Sequence, residues 1–179
     1  MVTIIFESHG TTFDNEAGLS SGLYDVGLSP RGEREAKELG RRRSHERFDA
    51  IFCSDLRRSW KTAQVAFGET HSPIFNDARL QECDYGDLTR RPSSEVEAIK
   101  NQYVHSPFPN GESYEEVSAR IKSFLEDLLN NFDDKKVLII GHRATQYGLQ
   151  HLIQGVSLDT VVTAPWSWQP GWEYQLKRV

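Results

Sequence analysis

Two histidines, an arginine and a glutamate stand just beyond short apolar runs, where side chains can serve either chemistry or packing. His9 follows residues 2–6 in FESHGTT, and His142 follows KKVLII in VLIIGHRAT. Asp55 and Arg58 follow residues 48–53 in SDLRRSWKTA, and Glu82 comes at one remove from residues 73–75 in RLQECDYG. Meeting in one crevice, these groups would suit the transfer of a phosphoryl group. A neutral imidazole can attack phosphorus and be displaced by water in a second step. A second imidazole, if protonated, donates to the non-bridging oxygens, which a guanidinium grips with its planar fork. A carboxylic acid can protonate the departing alkoxide. Gly10 and Gly141, beside the two histidines, would let the backbone approach a ligand closely.

Each residue also has a structural reading. A histidine at a strand end commonly serves its neighbours' hydrogen bonds, Arg58 fits a helix surface, and Glu82 could pair with Arg79. A metal site from His9, Glu82 and His142 lacks any local spacing of the HExxH kind. Histidines at the ends of the two most apolar runs favour the catalytic reading.

Positioning these residues requires strands that end at one edge of a sheet. Residues 2–6, 48–53, 73–75 and 137–140 are short, apolar and rich in β-branched or aromatic types, and read as strands. The first and last are nearly all apolar, as in central strands covered on both faces. Helices lie between them. Pro30 opens one after the cap residue Ser29, and residues 56–67 hold another. Ser113 and Glu116 fit a capping box ahead of Val117, Ile121, Phe124, Leu125 and Leu128. A last helix starts near Arg143, and the tail WEYQLKRV reads as an edge strand. The expected architecture is an α/β three-layer sandwich, a mostly parallel central sheet flanked by helices. It forms a single domain over residues 1–179, with the polar, proline-bearing segment 87–110 as a short lid or insertion. In such sheets reactive groups collect beyond the carboxyl ends of the strands.

The totals agree. The chain has 179 residues, 37% apolar and 26% charged, with a net charge of -5. That acidity argues against a nucleic-acid surface but leaves room for a basic pocket and a small anionic ligand. Cys53 and Cys83 have no paired spacing and read as buried thiols of a reducing compartment. No apolar stretch is long enough to span a membrane and no secretory signal is visible, so a cytoplasmic protein is expected.

The order of these blocks resembles the histidine phosphatase superfamily, which includes the cofactor-dependent phosphoglycerate mutases. SHGTTFDN supplies His9, Gly10, Thr12 and Asn15 of its opening motif, and SSGLYDVGLSPRGEREA follows its next run. SDLRRSWKTA, RLQECDYGD, PNGES and VLIIGH resemble the later blocks. The resemblance implies a phosphoglycerate mutase-like fold and a phosphoric monoester hydrolase of the histidine acid phosphatase type. It implies His9 as nucleophile, Arg58 and His142 as phosphate ligands, Glu82 as proton donor, and Ser21 and Gly22 near the substrate. No metal or other cofactor is implied, and the expected partner is a small phosphorylated metabolite. The mutases carry a longer insertion after the glutamate block, so hydrolysis is expected rather than phosphate relocation.

The resemblance breaks at Ser8, where the family places an arginine. Losing that charge-assisted contact would cost about 2–4 kcal/mol of transition-state stabilisation. Three readings compete: another cation, with Arg143 the favoured one, fills the space; the pocket is tuned to a different or less charged ester; or the protein binds phosphorylated ligands or protein partners with little turnover. Arg90 and Arg91, a pair in the polar lid, read as solvated charges, with contact to a second anionic group of the substrate as the alternative. Trp166, Trp168 and Trp172 suit core packing or an edge-strand anchor, with a stacking wall as the alternative.

Overall fold

Strands that are apolar on both faces need a layer of helices on each side, and the computed structural model, which describes residues 1–178, builds that arrangement. The strands are β1 (Val2–Ser8), β2 (Ala50–Cys53), β3 (Ile74–Asn76), β4 (Lys136–Gly141) and β5 (Trp172–Leu176), in spatial order β3-β2-β4-β1-β5. The first four are parallel, and β5 closes the edge antiparallel to β1. The helices are α1 (Phe13–Glu16), α2 (Pro30–Arg42), α3 (Arg57–Phe67), α4 (Ser93–Ile99), α5 (Tyr114–Asn131), α6 (Arg143–Gln154) and α7 (Leu158–Thr163). The expected three-layer sandwich is present, and the tail forms the expected edge strand; its last residue, Val179, lies outside the described residues.

Alternation along β1 sorts the core. Ile5 joins Leu39, Ala63, Phe67 and Ile140 beneath α2 and α3. Ile4 and Phe6 join Val117, Ile121, Leu128 and Leu149 beneath α5 and α6. The caps follow the sequence: Ser29 Oγ accepts from the Gly32 N–H, and Ser113 forms its box with Glu116. Cys53 and Cys83 are free and buried, and burial pushes the Cys53 thiol up to about 12. No helix among the described residues is long and apolar enough to cross a membrane.

Three differences stand out. Strand β2 begins at Ala50, because Asp49 exchanges bonds with the Lys136 backbone through both its N–H and its carboxylate. Segment 87–110 contains α4 and a 3-10 turn, Lys100–Tyr103. In α4 only Val96 is buried, too little for a periodic signal. The short α1, whose one buried residue is Asp14, was not expected for the same reason, and the six-residue α7, which buries Leu158, Val161 and Val162, was not expected either.

Candidate active site

The strand order sets β2, β4 and β1 side by side, and the register pairs Cys53 with Ile140 and Ser8 with Gly141. The chain leaves all three strands at one edge of the sheet: His9 falls level with His142, and Ser54 one step behind them, level with Gly141. The His9 N–H donates to Gly141 O at 3.1 Å, carrying the ladder one step into the site. The two imidazole rings end with centroids 5.0 Å apart and planes inclined at 56°. Arg58, in the first turn of α3, is 2% exposed and donates to Tyr24 O at 3.0 Å and Gly22 O at 2.6 Å. Gly22 adopts φ 54°, a left-handed conformation glycine takes without strain. With two N–H groups tied to carbonyls, the Arg58 fork is oriented and keeps further donors for a ligand.

The hydrogen bonds assign opposite tautomers to the two histidines. His9 Nδ1 lies 2.7 Å from Gly10 O. A carbonyl can only accept, so Nδ1 carries the proton and Nε2 keeps a lone pair. Burial, and then the Arg58 guanidinium, hold the His9 pKa down at about 3, so the ring is neutral. His142, 1% exposed, has its Nε2 2.6 Å from Ser54 Oγ. The Leu56 N–H approaches that oxygen as a donor at 3.4 Å, and among the described residues His142 Nε2 is the acceptor within reach of the buried Ser54 hydroxyl. The O–H therefore goes to Nε2, which leaves the ring proton on Nδ1. Burial, then Arg58 and His9, push the His142 pKa well below its ordinary value. The expectation that this ring must be cationic to donate is thus replaced: it is neutral, and donates from Nδ1. That nitrogen is buried without a protein partner, which leaves its N–H for a ligand.

Glu82 is 8% exposed, and the N–H groups of Cys83 and Ala144 both donate to its Oε1, at 2.9 and 3.2 Å. The second oxygen is left to take or give a proton. Arg79 pairs with Asp77 and Asp127, so the structural reading of a Glu82–Arg79 pair is not realised.

One cavity of about 650 Å³ gathers His9, Arg58, Glu82 and His142 together with Ser8, Gly10, Asn15, Ser21, Gly22 and Arg143. Gly10 must be glycine for packing: a Cβ there would stand 2.5 Å from Gly32 O. Thr12 is not part of this wall. It is fully buried and caps α1, exchanging bonds with Asn15 through its N–H and Oγ1. Asp55 is exposed and accepts from Gln81 Nε2 at 2.6 Å. Nor do Arg90 and Arg91 face the cavity. Arg90 pairs with buried Asp14 and covers the Tyr24 ring, and Arg91 pairs with Glu95. Asp14 in turn accepts from Ser21 Oγ at 3.0 Å, which fixes that side chain.

Ser8 shares its face of β1 with Phe6, whose ring lies 5.6 Å from Trp172; Trp166 stacks on Trp172, and the Arg143 guanidinium sits 4.6 Å over Trp166. Arg143 thus lies on the Ser8 side of the sheet, but Nη1 is held by Glu97 at 2.5 Å. Trp172 packs as expected; Trp166 packs and also lines the cavity, and Trp168, 58% exposed, forms part of its mouth. Sequence reasoning missed Ser54 and Glu97. Ser54 had a signal, its place in the SDLRRSWKTA block; Glu97 had none.

A profile of the histidine phosphatase superfamily (branch 1) matches residues 4–167. The chain belongs to that superfamily. It is 32% identical over 155 residues to the uncharacterized phosphatase PhoE of Bacillus subtilis, covering 87% of this chain and 79% of the relative. It is 30% identical over 176 residues to the 2,3-bisphosphoglycerate-dependent phosphoglycerate mutase of Rhizobium etli, covering 90% and 83%. The solved structure of Bacillus stearothermophilus YhfR has the same fold, with a TM-score of 0.81 at 24% identity over 95% of this chain and 88% of that one. Superfamily membership covers the strand ends that deliver both histidines, and leaves residue 168 onward outside the match.

Proposed function

We infer that this superfamily member is a phosphomonoesterase of the histidine acid phosphatase type, hydrolysing a small cytoplasmic phosphorylated metabolite through a phosphohistidine. The observation that carries this reading is the pair of opposite tautomers: His9 offers a lone pair and His142 a proton, with centroids 5.0 Å apart. In the first step His9 Nε2 forms a bond to phosphorus while the ester P–O bond breaks, and protonated Glu82 gives its proton to the departing oxygen. Arg58 and the His142 Nδ1–H hold the non-bridging oxygens as charge builds on them. Gly10 O keeps the Nδ1 proton of His9, so the ring is positive while phosphorylated. In the second step water attacks phosphorus, Glu82 takes its proton, the P–N bond breaks, and His9 returns neutral. No metal or other cofactor takes part in these steps.

Hydrolysis is favoured over relocation of the phosphate between positions, as in the mutase relative, because exposed residues such as Asn15 and Trp168 line the cavity and admit water. A second reading, a binder of phosphorylated ligands or partners with weak turnover, is favoured by Ser8, which brings one neutral hydroxyl where a guanidinium would serve. Hydrolysis of p-nitrophenyl phosphate in EDTA separates the readings. Turnover that persists in EDTA and disappears in His9→Ala, with an acid-labile phosphoenzyme trapped in the wild type, supports the esterase. Turnover surviving in His9→Ala overturns it. A wild type that binds phosphate without turnover, and gains turnover in Ser8→Arg, supports the binder.

A further inference from the structure

Beyond the His9 cradle the cavity wall carries Arg31, Arg42 and Arg143, and each guanidinium already faces a carboxylate on the same wall. Arg31 pairs with Glu35 at 2.9 Å, Arg42 with Glu7 at 2.9 Å, and Arg143 with Glu97 at 2.5 Å. Arg58 differs, since its guanidinium bonds backbone carbonyls and belongs to the cradle. The remaining wall brings no further cation: it mixes hydroxyl and amide side chains such as Asn15, Ser20 and Ser93 with apolar ones such as Leu39 and Trp168. A group attached to the phosphate therefore meets guanidinium groups that each already hold a carboxylate, although Glu7 is shared between Arg42 and Arg43, whose Nε and Nη2 both donate to its Oε1.

Glu97 cannot leave this arrangement cheaply. Its other oxygen accepts from Lys100 Nζ at 2.7 Å, and that ammonium is 5% exposed, with the Tyr147 hydroxyl as its further partner at 3.0 Å. Removing the carboxylate from a buried ammonium leaves an uncompensated charge. Glu97 is thus held as an anion between Lys100 and Arg143, and α4 is held against α6 by the same contacts.

Given the phosphomonoesterase reading, we propose that Glu97, by neutralising Arg143, makes this a pocket for phosphate esters of uncharged alcohols. Esters with a second anion on the alcohol half are turned away. Such an anion would face Glu35 and Glu97 with their partners Arg31 and Arg143 already engaged, and like charges across a binding surface are strongly disfavoured. Ser8 acts in the same direction, because it withholds a cation from the Arg143 side of the sheet.

Glycerol 3-phosphate and 3-phosphoglycerate form a matched pair of probes: both are phosphorylated on a primary carbon, and they differ in carrying a hydroxymethyl or a carboxylate group. The wild type is expected to favour glycerol 3-phosphate by about thirtyfold or more in kcat/KM. Glu97→Gln keeps the side chain's size and removes its charge, and should shrink that ratio about tenfold, chiefly through a lower KM for 3-phosphoglycerate. Glu97→Gln takes a carboxylate from the buried Lys100 ammonium, so its Tm should fall; Arg143→Gln, which leaves the Glu97–Lys100 pair intact, is the second variant, and its preference for glycerol 3-phosphate should exceed that of the wild type. A wild-type ratio near one or inverted, or a ratio unmoved in folded Glu97→Gln, overturns the proposal. If that happens while His9-dependent hydrolysis of p-nitrophenyl phosphate is intact, the phosphatase reading stands; if that hydrolysis is absent, both fall.

Discussion

Replacing Ser54 by alanine tests the tautomer argument, because Ser54 touches no substrate and works only through His142. The lost bond is an O–H···N contact of 2.6 Å in a buried setting. Leaving His142 Nε2 without a donor costs about 1–3 kcal/mol of folding stability. The effect on turnover has two bounds. If the bond contributes about 1.4 kcal/mol of preference for the Nδ1–H form, losing it brings the tautomers close in energy, and kcat drops by about tenfold at most. If the ring switches fully to Nε2–H, it presents a lone pair to the phosphoryl oxygens, and loss of one transition-state donor costs on the order of a hundredfold or more. Together these give an expected fall in kcat of roughly 3- to 100-fold, with KM for p-nitrophenyl phosphate changed much less. The decisive readout is the 15N spectrum of the His142 ring, which distinguishes a protonated from an unprotonated Nδ1. Wild type should show Nδ1 protonated and Ser54→Ala a mixed or reversed ring; Ser54→Thr, if folded, should restore both spectrum and kcat. A wild-type ring protonated on Nε2 refutes the reasoning. So does a Ser54→Ala enzyme that loses Tm yet keeps kcat and the Nδ1 proton.

Two other perturbations have defined outcomes. The His9 pKa of about 3 lies below the ordinary 6.5, so the unfolded chain takes that proton first. The stability contributed by neutral His9 is present above 6.5 and is lost as pH falls toward 3; Tm measured from neutral pH downward should fall less steeply in His9→Asn than in the wild type. The acid limb of kcat/KM should likewise lie well below 6.5 if His9 is the nucleophile. Gly10→Ala would push a Cβ to 2.5 Å from the Gly32 carbonyl. Urea denaturation should show a loss of about 1–3 kcal/mol, and kcat should fall because the Gly10 carbonyl that orients His9 moves with it.

The layered fold was legible because it rests on local patterns. Apolar runs bounded by polar chain mark β1 and β4, and Ser29–Pro30 and Ser113–Glu116 mark helix starts through chemistry confined to one turn. His9, His142, Arg58 and Glu82 were legible because strand ends in a parallel sheet share one edge. What sequence could not supply were partnerships between distant, non-periodic positions. Arg143 looked like a free replacement cation, yet its partner Glu97 lies on another helix with no sequence relation to it. Arg90 read as a solvated lid charge, with reach to the substrate as the alternative, but buried Asp14 claims its guanidinium. Thr12 illustrates a different limit: Thr12–Asn15 is equally a helix cap and a binding motif, and only the backbone direction after Thr12 decides between them.

The edge strand β5 gives the two halves of the pocket separate supports. The His9 and His142 pair hangs from adjacent parallel strands, whereas the mouth at Trp166 and Trp168 is carried by the segment that leads into β5, the antiparallel edge partner of β1. Alterations in that segment can remodel what the entrance admits without disturbing the imidazole pair. Engineering new selectivity into this scaffold should therefore begin at residues 164–171, leaving the reaction centre alone.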